Sequence, residues 1–187
     1  MIKGFRQIKE TMDKTASLLK MKAGENKLIR ILIPTSEVTA AWEHVEQIGG
    51  FWKTIECLGK KDCPICKAGR NASFKTYLPI LDIAEDKVKI FKASRDVVKA
   101  LIAFEEEYGD LTKIDLKVIR LGEGLKTTYQ FFKKDGSKID LDEYQDQIPA
   151  PETLIEQLTK EEIENLLDGV VEDTKEPDYG NEYDDPF

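Results

Sequence analysis

The chain has 187 residues, of which 41% are hydrophobic and 34% are charged, and its formal net charge is −8. This length favours one main domain with appendages, and the longest apolar run, residues 100–104, excludes a membrane-spanning helix of roughly 20 residues. Residues 1–5 are followed by charges and not by the apolar stretch of a signal peptide, which predicts a protein of a reducing cytoplasm.

The two signs of charge are separated along the sequence. Residues 1–139 carry a net charge of +7, whereas residues 140–187 carry −15. A basic body with an acidic tail is typical of a protein whose body binds a polyanion while the tail competes with it or recruits a partner. Solvated surface charge with no such role is the alternative explanation.

The chain begins with apolar residues at helical spacing, which predict an amphipathic helix over residues 5–20 within an amino-terminal segment, residues 1–23. Alternating or β-rich runs then predict five core strands, and a helix is predicted after Ser94, ending at Gly109. The strands are predicted at residues 27–33, 75–84, 87–93, 114–120 and 125–132.

A cysteine- and histidine-rich segment at about residues 42–69 interrupts this strand pattern, and a short strand is predicted within it at residues 51–55. All three cysteines and the only histidine of the chain lie here, in the order His44, Cys57, Cys63 and Cys66. Three thiolates and one imidazole are the ligand set of a closed, tetrahedral structural Zn²⁺ site. Because protein fills every ligand position, we expect one structural zinc ion and no catalytic metal.

Two other readings of the cysteines are open. Cys63-Pro-Ile-Cys66 has the spacing of a redox-active pair, which would make the chain a thiol oxidoreductase, although residues 67–71 are a poor helix start for that motif. The thiols could also be unliganded. A secreted disulfide framework is disfavoured because the cysteine count is odd.

Without the zinc segment, the order of the core elements is strand, strand, strand, helix, strand, strand. This is the connectivity of the five-stranded OB barrel, although other small α+β sheets share it. We therefore predict an α+β, mainly β chain. Its core is an OB-fold barrel over residues 24–139 with an inserted zinc-binding subdomain.

The sequence changes character after residue 139. Residues 140–171 are predicted as an acidic segment with one short helix, introduced by the capping box Thr159-x-x-Glu162. Residues 172–187 hold 7 acidic residues against Lys175 and are predicted to be disordered. The tail ends Asp184-Asp185-Pro186-Phe187, which offers an aromatic ring and a free carboxylate to a basic pocket on a partner, unless the tail only solubilises the chain.

Basic and aromatic residues alternate along the core, as in proteins that bind a single strand through phosphates and stacked bases. About half of the aromatic residues are expected to be buried, and on the last strand Tyr129 and Phe131 are favoured over Phe132 as the stacking face. The candidate nucleic-acid-binding residues are Arg30, Trp42, Phe51, Trp52, Lys53, Lys75, Tyr77, Lys89, Phe91, Lys92, Arg120, Lys126, Tyr129 and Phe131.

Three stretches carry a resemblance to a known family: residues 24–32, the His44/Cys57/Cys63/Cys66 set, and residues 108–129 with Tyr108-Gly-Asp110, Lys117–Gly124 and Tyr129. On these the chain resembles the zinc-containing single-stranded-DNA-binding, helix-destabilising proteins of bacteriophages. The resemblance implies an OB-fold core, a zinc subdomain beside the DNA cleft and an acidic arm that docks replication proteins such as polymerase, helicase or primase. Trp52 matches an aromatic residue of that family.

The sequence thus predicts a sequence-independent single-stranded-DNA-binding protein of phage replication, recombination or repair, acting in a bacterial host cell. It is predicted not to be an enzyme, because no nucleophile–base pair and no phosphate-binding glycine motif occurs. The alternatives are the thiol oxidoreductase and a zinc-bearing replication or transcription accessory factor that binds only protein. Self-association along DNA is open, since residues 5–20 do not clearly reproduce the family's basic polymerisation segment.

Overall fold

The computed structural model describes residues 17–48, 50–150 and 153–171. These ranges are mainly β, and their strands are β1 (Asn26–Ile31), β2 (Thr39–Ile48), β3 (Phe51–Glu56), β4 (Ser73–Asp82), β5 (Lys87–Ser94), β6 (Asp115–Leu121) and β7 (Thr128–Lys134). Their helices are α1 (Pro64–Lys67), α2 (Arg95–Tyr108), α3 (Asp142–Gln145) and α4 (Lys160–Val171). None of the helices in these ranges has the length and apolar character needed to cross a membrane.

The chain divides into two compact units. Of the described residues, unit 1 contains 17–39 and 76–150, and unit 2 contains 40–48, 50–75 and 153–171. The predicted zinc segment at about 42–69 therefore lies inside unit 2. The predicted acidic segment 140–171 is shared between the units, because its first part belongs to unit 1 and α4 belongs to unit 2.

Unit 1 is built on the antiparallel strand order β5-β4-β1-β6-β7. Side chains on a strand alternate between faces, and the register places Ile29 opposite Leu116 and Ile31 opposite Ile80. These residues are fully buried in one apolar cluster, which Phe91 and Phe131 join from β5 and β7. One face of the unit 1 strands therefore forms its core, as the alternation in the sequence predicts.

The strands of unit 1 do not close into a barrel, so the predicted OB fold is shown only as a mainly β, antiparallel arrangement. At Ile90 of β5 the edge is occupied by another segment: Ile90 donates its N–H to the Ser17 carbonyl at 2.8 Å and accepts from Leu19 N at 2.8 Å. The predicted helix over residues 5–20 is corrected only at its last four residues. Residues 17–20 are not helical, and residues 1–16 lie outside the described ranges.

Helix α2 follows the prediction. It begins after Ser94 and ends at Gly109, whose φ of 76° is a backbone conformation that glycine adopts at no steric cost. Val97 and Leu101 are buried on its inner side, and Phe104 packs against the same apolar cluster. The helix thus covers one part of the unit 1 core.

A buried ion pair between Arg30 and Asp115 lies on the face of the unit 1 strands that points away from the apolar core. Arg30 Nε donates to Asp115 Oδ1 at 2.7 Å, and its other nitrogens donate to the carbonyls of Thr112 and Ser137. Asp115 Oδ2 accepts from both the backbone N–H and the hydroxyl of Ser137. At Gly136 an added Cβ would lie 2.5 Å from the Lys113 carbonyl oxygen, so the loop approaches too closely for a side chain. The pair therefore holds the loop after β7 against β1 and β6.

Unit 2 is built on the antiparallel hairpin of β2 and β3. Its register places His44 opposite Ile55, and Gly50 in the turn has a φ of 81°. The segment around Glu156 adds to the free edge of β3: Glu156 N donates to the Thr54 carbonyl at 2.8 Å, and Glu56 N donates to the Glu156 carbonyl at 2.9 Å. The hairpin is therefore extended by residues that are about 100 positions away in sequence.

Helix α4 completes unit 2. The predicted capping box is confirmed, because Glu162 Oε2 accepts from Thr159 N at 2.7 Å and Thr159 Oγ1 accepts from Glu162 N at 3.3 Å. Ile163 of α4 is 1% exposed in an apolar cluster with Ile55, Ile65 and Cys63. The helix thus packs on the cysteine-bearing segment. The predicted disordered tail, residues 172–187, lies outside the described ranges.

Candidate metal centre and exposed aromatic residues

The four predicted metal ligands come from three local structures of unit 2. His44 lies on β2, Cys57 follows β3, Cys63 precedes α1, and Cys66 lies within it. Their ligand atoms all lie within 4.8 Å of one another. The structure therefore brings the whole predicted set to one point.

Three of the six distances between these atoms are close to the edges of a metal-centred tetrahedron. Cys57 Sγ lies 3.6 Å from Cys66 Sγ, and His44 Nε2 lies 3.4 Å from Cys63 Sγ and 3.5 Å from Cys66 Sγ. With Zn–S near 2.3 Å and Zn–N near 2.0 Å, tetrahedral bond angles give edges of about 3.8 Å between sulfurs and about 3.5 Å between nitrogen and sulfur. The cluster is thus a candidate metal site, and these distances are compatible with zinc.

The turn that carries Cys63 and Cys66 is set by its sequence. Pro64 occupies the first turn of α1, where its missing N–H costs nothing, and Gly59 before it has a φ of 92°. Cys63 N donates to the Gly59 carbonyl at 2.9 Å. The loop and the single helical turn therefore aim both thiols at one point.

The protonation of the ligands follows from burial and from backbone donors. Burial raises the pKa of the Cys57 thiol to about 11. At Cys63 burial also works against ionisation, but N–H groups of Cys66, Leu58 and Ile65 stabilise the thiolate, and the net pKa is lowered. Burial lowers the pKa of His44, which keeps its imidazole neutral. A neutral imidazole and thiolates are the forms that bind metal, so the Cys57 thiol would have to release its proton to an incoming ion.

The metal cluster is continuous with the apolar cluster of unit 2. Cys63 is fully buried beside Ile65 and Ile163, and Cys57 and Cys66 pack against the same cluster. All three cysteines are free. A two-cysteine redox motif does not account for His44 and Cys57, which share the centre, so the arrangement favours a metal site over a dithiol.

Three predicted stacking residues of unit 2 are exposed. Trp42 is 49% exposed, Phe51 75% and Trp52 57%, and Phe51 and Trp52 are consecutive residues at the start of β3. The Trp42 ring meets Phe74 edge-on, with ring centroids 5.6 Å apart. Large aromatic side chains that are exposed this far are a typical feature of binding surfaces.

The predicted basic residues of unit 2 are less available. Lys53 Nζ lies 3.0 Å from Glu156 Oε2 in an ion pair, and the side chain of Lys75 is half-buried. The segment around Glu156 and β3 also border a cleft of about 430 Å³ whose wall includes Trp52 and Lys53. Sequence reasoning missed this segment, because nothing in its composition indicates pairing with a strand so distant in sequence.

Unit 1 contradicts the prediction that Arg30 and Lys89 contact phosphates. Both side chains are buried in ion pairs: Arg30 with Asp115, and Lys89 Nζ with Asp82 at 3.0 Å. Buried carboxylates require such partners because the desolvation of an unpaired charge is costly. The two cations are therefore structural, and they are not part of a nucleic-acid surface.

Three predicted stacking residues of unit 1 are also buried. Tyr77, Phe91 and Phe131 are 4%, 2% and 8% exposed, so they cannot stack on a base without rearrangement. Tyr129 is half-buried, with its ring centroid 5.1 Å from that of Phe91. This corrects the choice of Tyr129 and Phe131 as the stacking face of β7. The other face carries Phe132, which is 45% exposed.

The remaining predicted residues of unit 1 are basic and lie nearer the surface. Arg120 is half-buried and donates to the Met21 carbonyl and to Thr127 Oγ1, and Lys92 Nζ lies 5.8 Å from the Tyr77 ring centroid. Lys126 is exposed. The tail residues Asp184, Asp185, Pro186 and Phe187 lie outside the described ranges.

No protein-family model matches the chain, and neither a curated protein nor a solved structure matches it at a significant level. The function is therefore inferred from the chemistry and placement of the chain's own residues.

Proposed function

We propose that this chain is a non-enzymatic, sequence-independent single-stranded-DNA-binding protein with one structural zinc ion, acting in phage DNA replication, recombination or repair inside a bacterial host. The observation that carries the proposal is the exposure of Trp42, Phe51 and Trp52 in the unit that the metal cluster organises. Exposed rings are what a single strand requires, because every base has a face that can stack.

Zinc is the metal that suits this centre. Its preference for tetrahedral sulfur and nitrogen ligands fits three cysteines and one histidine with tetrahedral edge lengths. The protein ligands complete the coordination sphere and leave no open position for a water molecule. The ion would therefore act as a scaffold that fixes the β2–β3 hairpin, α1 and the exposed rings.

An OB-type core is supported by the connectivity of unit 1. Strands β4 and β6 flank β1, β5 pairs with β4, β7 pairs with β6, and α2 lies between β5 and β6 in sequence, as in an OB barrel. Where a barrel would close, β5 and β7 meet through side chains: Phe91 contacts Tyr129 and Phe131. In this topology the part of unit 2 at Ala40–Lys75 is inserted in sequence between the first and second barrel strands, a connection that binds oligonucleotides in OB folds.

The first prediction concerns Trp52. Trp52→Leu is expected to weaken binding of oligo(dT) by about 1–3 kcal/mol, because leucine is apolar but offers no π-face, whereas Trp52→Phe is expected to retain most of the affinity. Both variants keep an apolar side chain at a site that is 57% exposed, so folding should be unaffected. Fluorescence anisotropy of a labelled oligonucleotide measures the affinities.

Oligo(dT) binding, zinc content and thiol reactivity of the wild-type chain together separate the proposed function from its alternatives. A wild-type chain that binds zinc but leaves oligo(dT) unbound would instead be the protein-binding accessory factor. A chain that holds no metal and reacts rapidly through Cys63 or Cys66 would be the thiol oxidoreductase. Equal affinity for duplex and single-stranded DNA would also contradict the proposal, since stacking needs unpaired bases.

The acidic tail is proposed to recruit replication proteins, with Asp184, Asp185, Pro186 and Phe187 as the docking tip. Deletion of residues 172–187 removes 7 acidic residues and is expected to tighten binding to single-stranded DNA at low salt. The gain should shrink as salt rises, because screening weakens the repulsion between the tail and the polyanion. A salt titration of both chains checks this, and a deletion that leaves the affinity unchanged at low salt would contradict it.

A further inference from the structure

The outer face of β1, β6 and β7 presents a continuous set of side chains opposite the core of unit 1. Antiparallel register places Lys117 between Leu28 and Phe132, and Ile119 opposite Gln130. Lys134 shares the face, two residues beyond Phe132. We call this set the outer strip: Leu28, Lys117, Ile119, Gln130, Phe132 and Lys134.

The charge of the outer strip is opposite to that of the chain as a whole. The chain holds 36 acidic residues against 28 lysines and arginines, yet the strip has two lysines and no acid. Within the described ranges neither Lys117 nor Lys134 forms an ion pair. The carboxylate of Asp115 lies on the same face but is 1% exposed and bonded to Arg30. The strip is therefore locally cationic.

The aromatic residue of the strip is accessible and its position is fixed. Phe132 is 45% exposed, although phenylalanine on a strand of this small core is expected to be buried. Strands β6 and β7 pair over seven consecutive residues, and the Arg30–Asp115–Ser137 network holds the loop that follows β7. Phe132 thus stands on a rigid strand and does not depend on a loop for its position.

The spacing of these groups suits one nucleotide. Opposite residues of an antiparallel pair have Cβ atoms about 5 Å apart, and residues i and i+2 of a strand are about 7 Å apart. A base on the Phe132 ring therefore leaves its phosphate within reach of the long side chains of Lys117 and Lys134. A protein ligand for this strip would need acidic and apolar groups in the same register, whereas a nucleic-acid strand repeats both at every step.

We propose that the outer strip is a second single-stranded nucleic-acid contact surface, in which Phe132 stacks on a base and Lys117 and Lys134 bind phosphates. The inference rests on the proposed function and extends it to a surface of unit 1. It replaces the buried residues Arg30, Lys89, Phe91 and Phe131 as the contribution of that unit to binding.

The test compares two apolar residues of unit 1 that are similarly exposed. Phe132→Ala removes the ring from the strip, and Ile102→Ala, at a site on α2 that is 51% exposed, is the matched control. In the full-length zinc-loaded chain, Phe132→Ala is expected to weaken oligo(dT) binding by about 5- to 150-fold, and Phe132→Trp to restore it. Ile102→Ala is expected to bind as the wild type does.

Substitution of Lys117 and Lys134 provides a second measurement, the salt dependence of binding, and leaves the apolar core unchanged. Lys117→Gln and Lys134→Gln are each expected to flatten the slope of log affinity against log salt by about 0.7, the value for one phosphate contact on a single strand. If the wild type binds oligo(dT) and Phe132→Ala, Lys117→Gln and Lys134→Gln all bind as the wild type does, the proposal for the outer strip is wrong while the proposed function stands. A wild type that does not bind oligo(dT) would overturn both.

Discussion

Cys63→Ser is expected to remove the bound metal and to release α4 from the rest of unit 2. Cys63 is one of the four residues of the candidate metal site and is itself a fully buried member of the apolar cluster that contains Ile163 of α4. Structural zinc sites contribute about 10–16 kcal/mol of binding free energy, which is comparable with the whole stability of a domain at about 5–15 kcal/mol. Loss of the ion should therefore unfold the unit and not merely loosen it.

The loss of structure in Cys63→Ser is expected to be confined to unit 2. Amide protons of Ile163 and Ile55 should lose their protection from hydrogen exchange in Cys63→Ser, while those of Ile80 and Leu116 should keep it. The second pair belongs to the apolar cluster of unit 1, which contains no metal ligand. Exchange measured by mass spectrometry, together with zinc analysis of the purified chain, gives both readouts.

Asp62→Ser is the matched control for this experiment, because it introduces serine at the exposed position next to Cys63. It is expected to retain one zinc ion per chain and full protection of α4. A Cys63→Ser chain that binds no zinc yet keeps α4 protected would show that the apolar cluster alone holds unit 2 together.

Asp115→Ala is expected to destabilise unit 1 by about 3–5 kcal/mol, the cost of leaving a buried cation without its partner. Arg30 is only 3% exposed, so water cannot replace the lost carboxylate. The backbone N–H and hydroxyl of Ser137 lose their acceptor in the same variant. Urea unfolding followed by circular dichroism measures the change in the free energy of unfolding.

Two further variants show whether the charge is the cause. Asp135→Ala removes an exposed acid close to the same loop and is expected to change stability by less than about 0.5 kcal/mol. The double variant Arg30→Met, Asp115→Leu removes both charges and should recover much of the loss, since paired replacement by apolar groups is often neutral. If the double variant is as unstable as Asp115→Ala, packing and not the unpaired charge is responsible.

The metal site was predictable because its residue types are rare in this chain. Three cysteines and one histidine in a single window leave few combinations, and the chemistry of the ligands fixes the set without knowledge of the fold. The strand that carries His44 was not predicted. Residues of β2 such as Glu43 and Glu46 are polar yet buried, so the alternation of apolar and polar residues that indicates a strand is absent.

The exposure of the proposed nucleic-acid-binding residues was harder to predict because residue type does not reveal which side of a strand faces the core. Tyr129 and Phe131 on one side of β7 and Phe132 on the other are equally aromatic, and only the contact with Phe91 of β5 decides which side is buried. Similarly, Arg30 is basic like any phosphate ligand, but its partner Asp115 lies 85 residues away. Pairing over such a distance is a property of the folded chain and not of local sequence.

The addition of Glu156 to β3 also protects the chain against uncontrolled self-association. An uncovered strand edge presents free N–H and C=O groups that can pair with a strand of another copy of the same chain. Such pairing leads to aggregation. On β3 this hazard would be aggravated by the neighbouring exposed rings of Phe51 and Trp52. Glu156 occupies the hydrogen-bonding groups of Thr54 and Glu56, so another chain cannot pair with β3 at these positions. The aromatic side chains beside this edge can therefore be exposed to solvent without a free strand edge next to them.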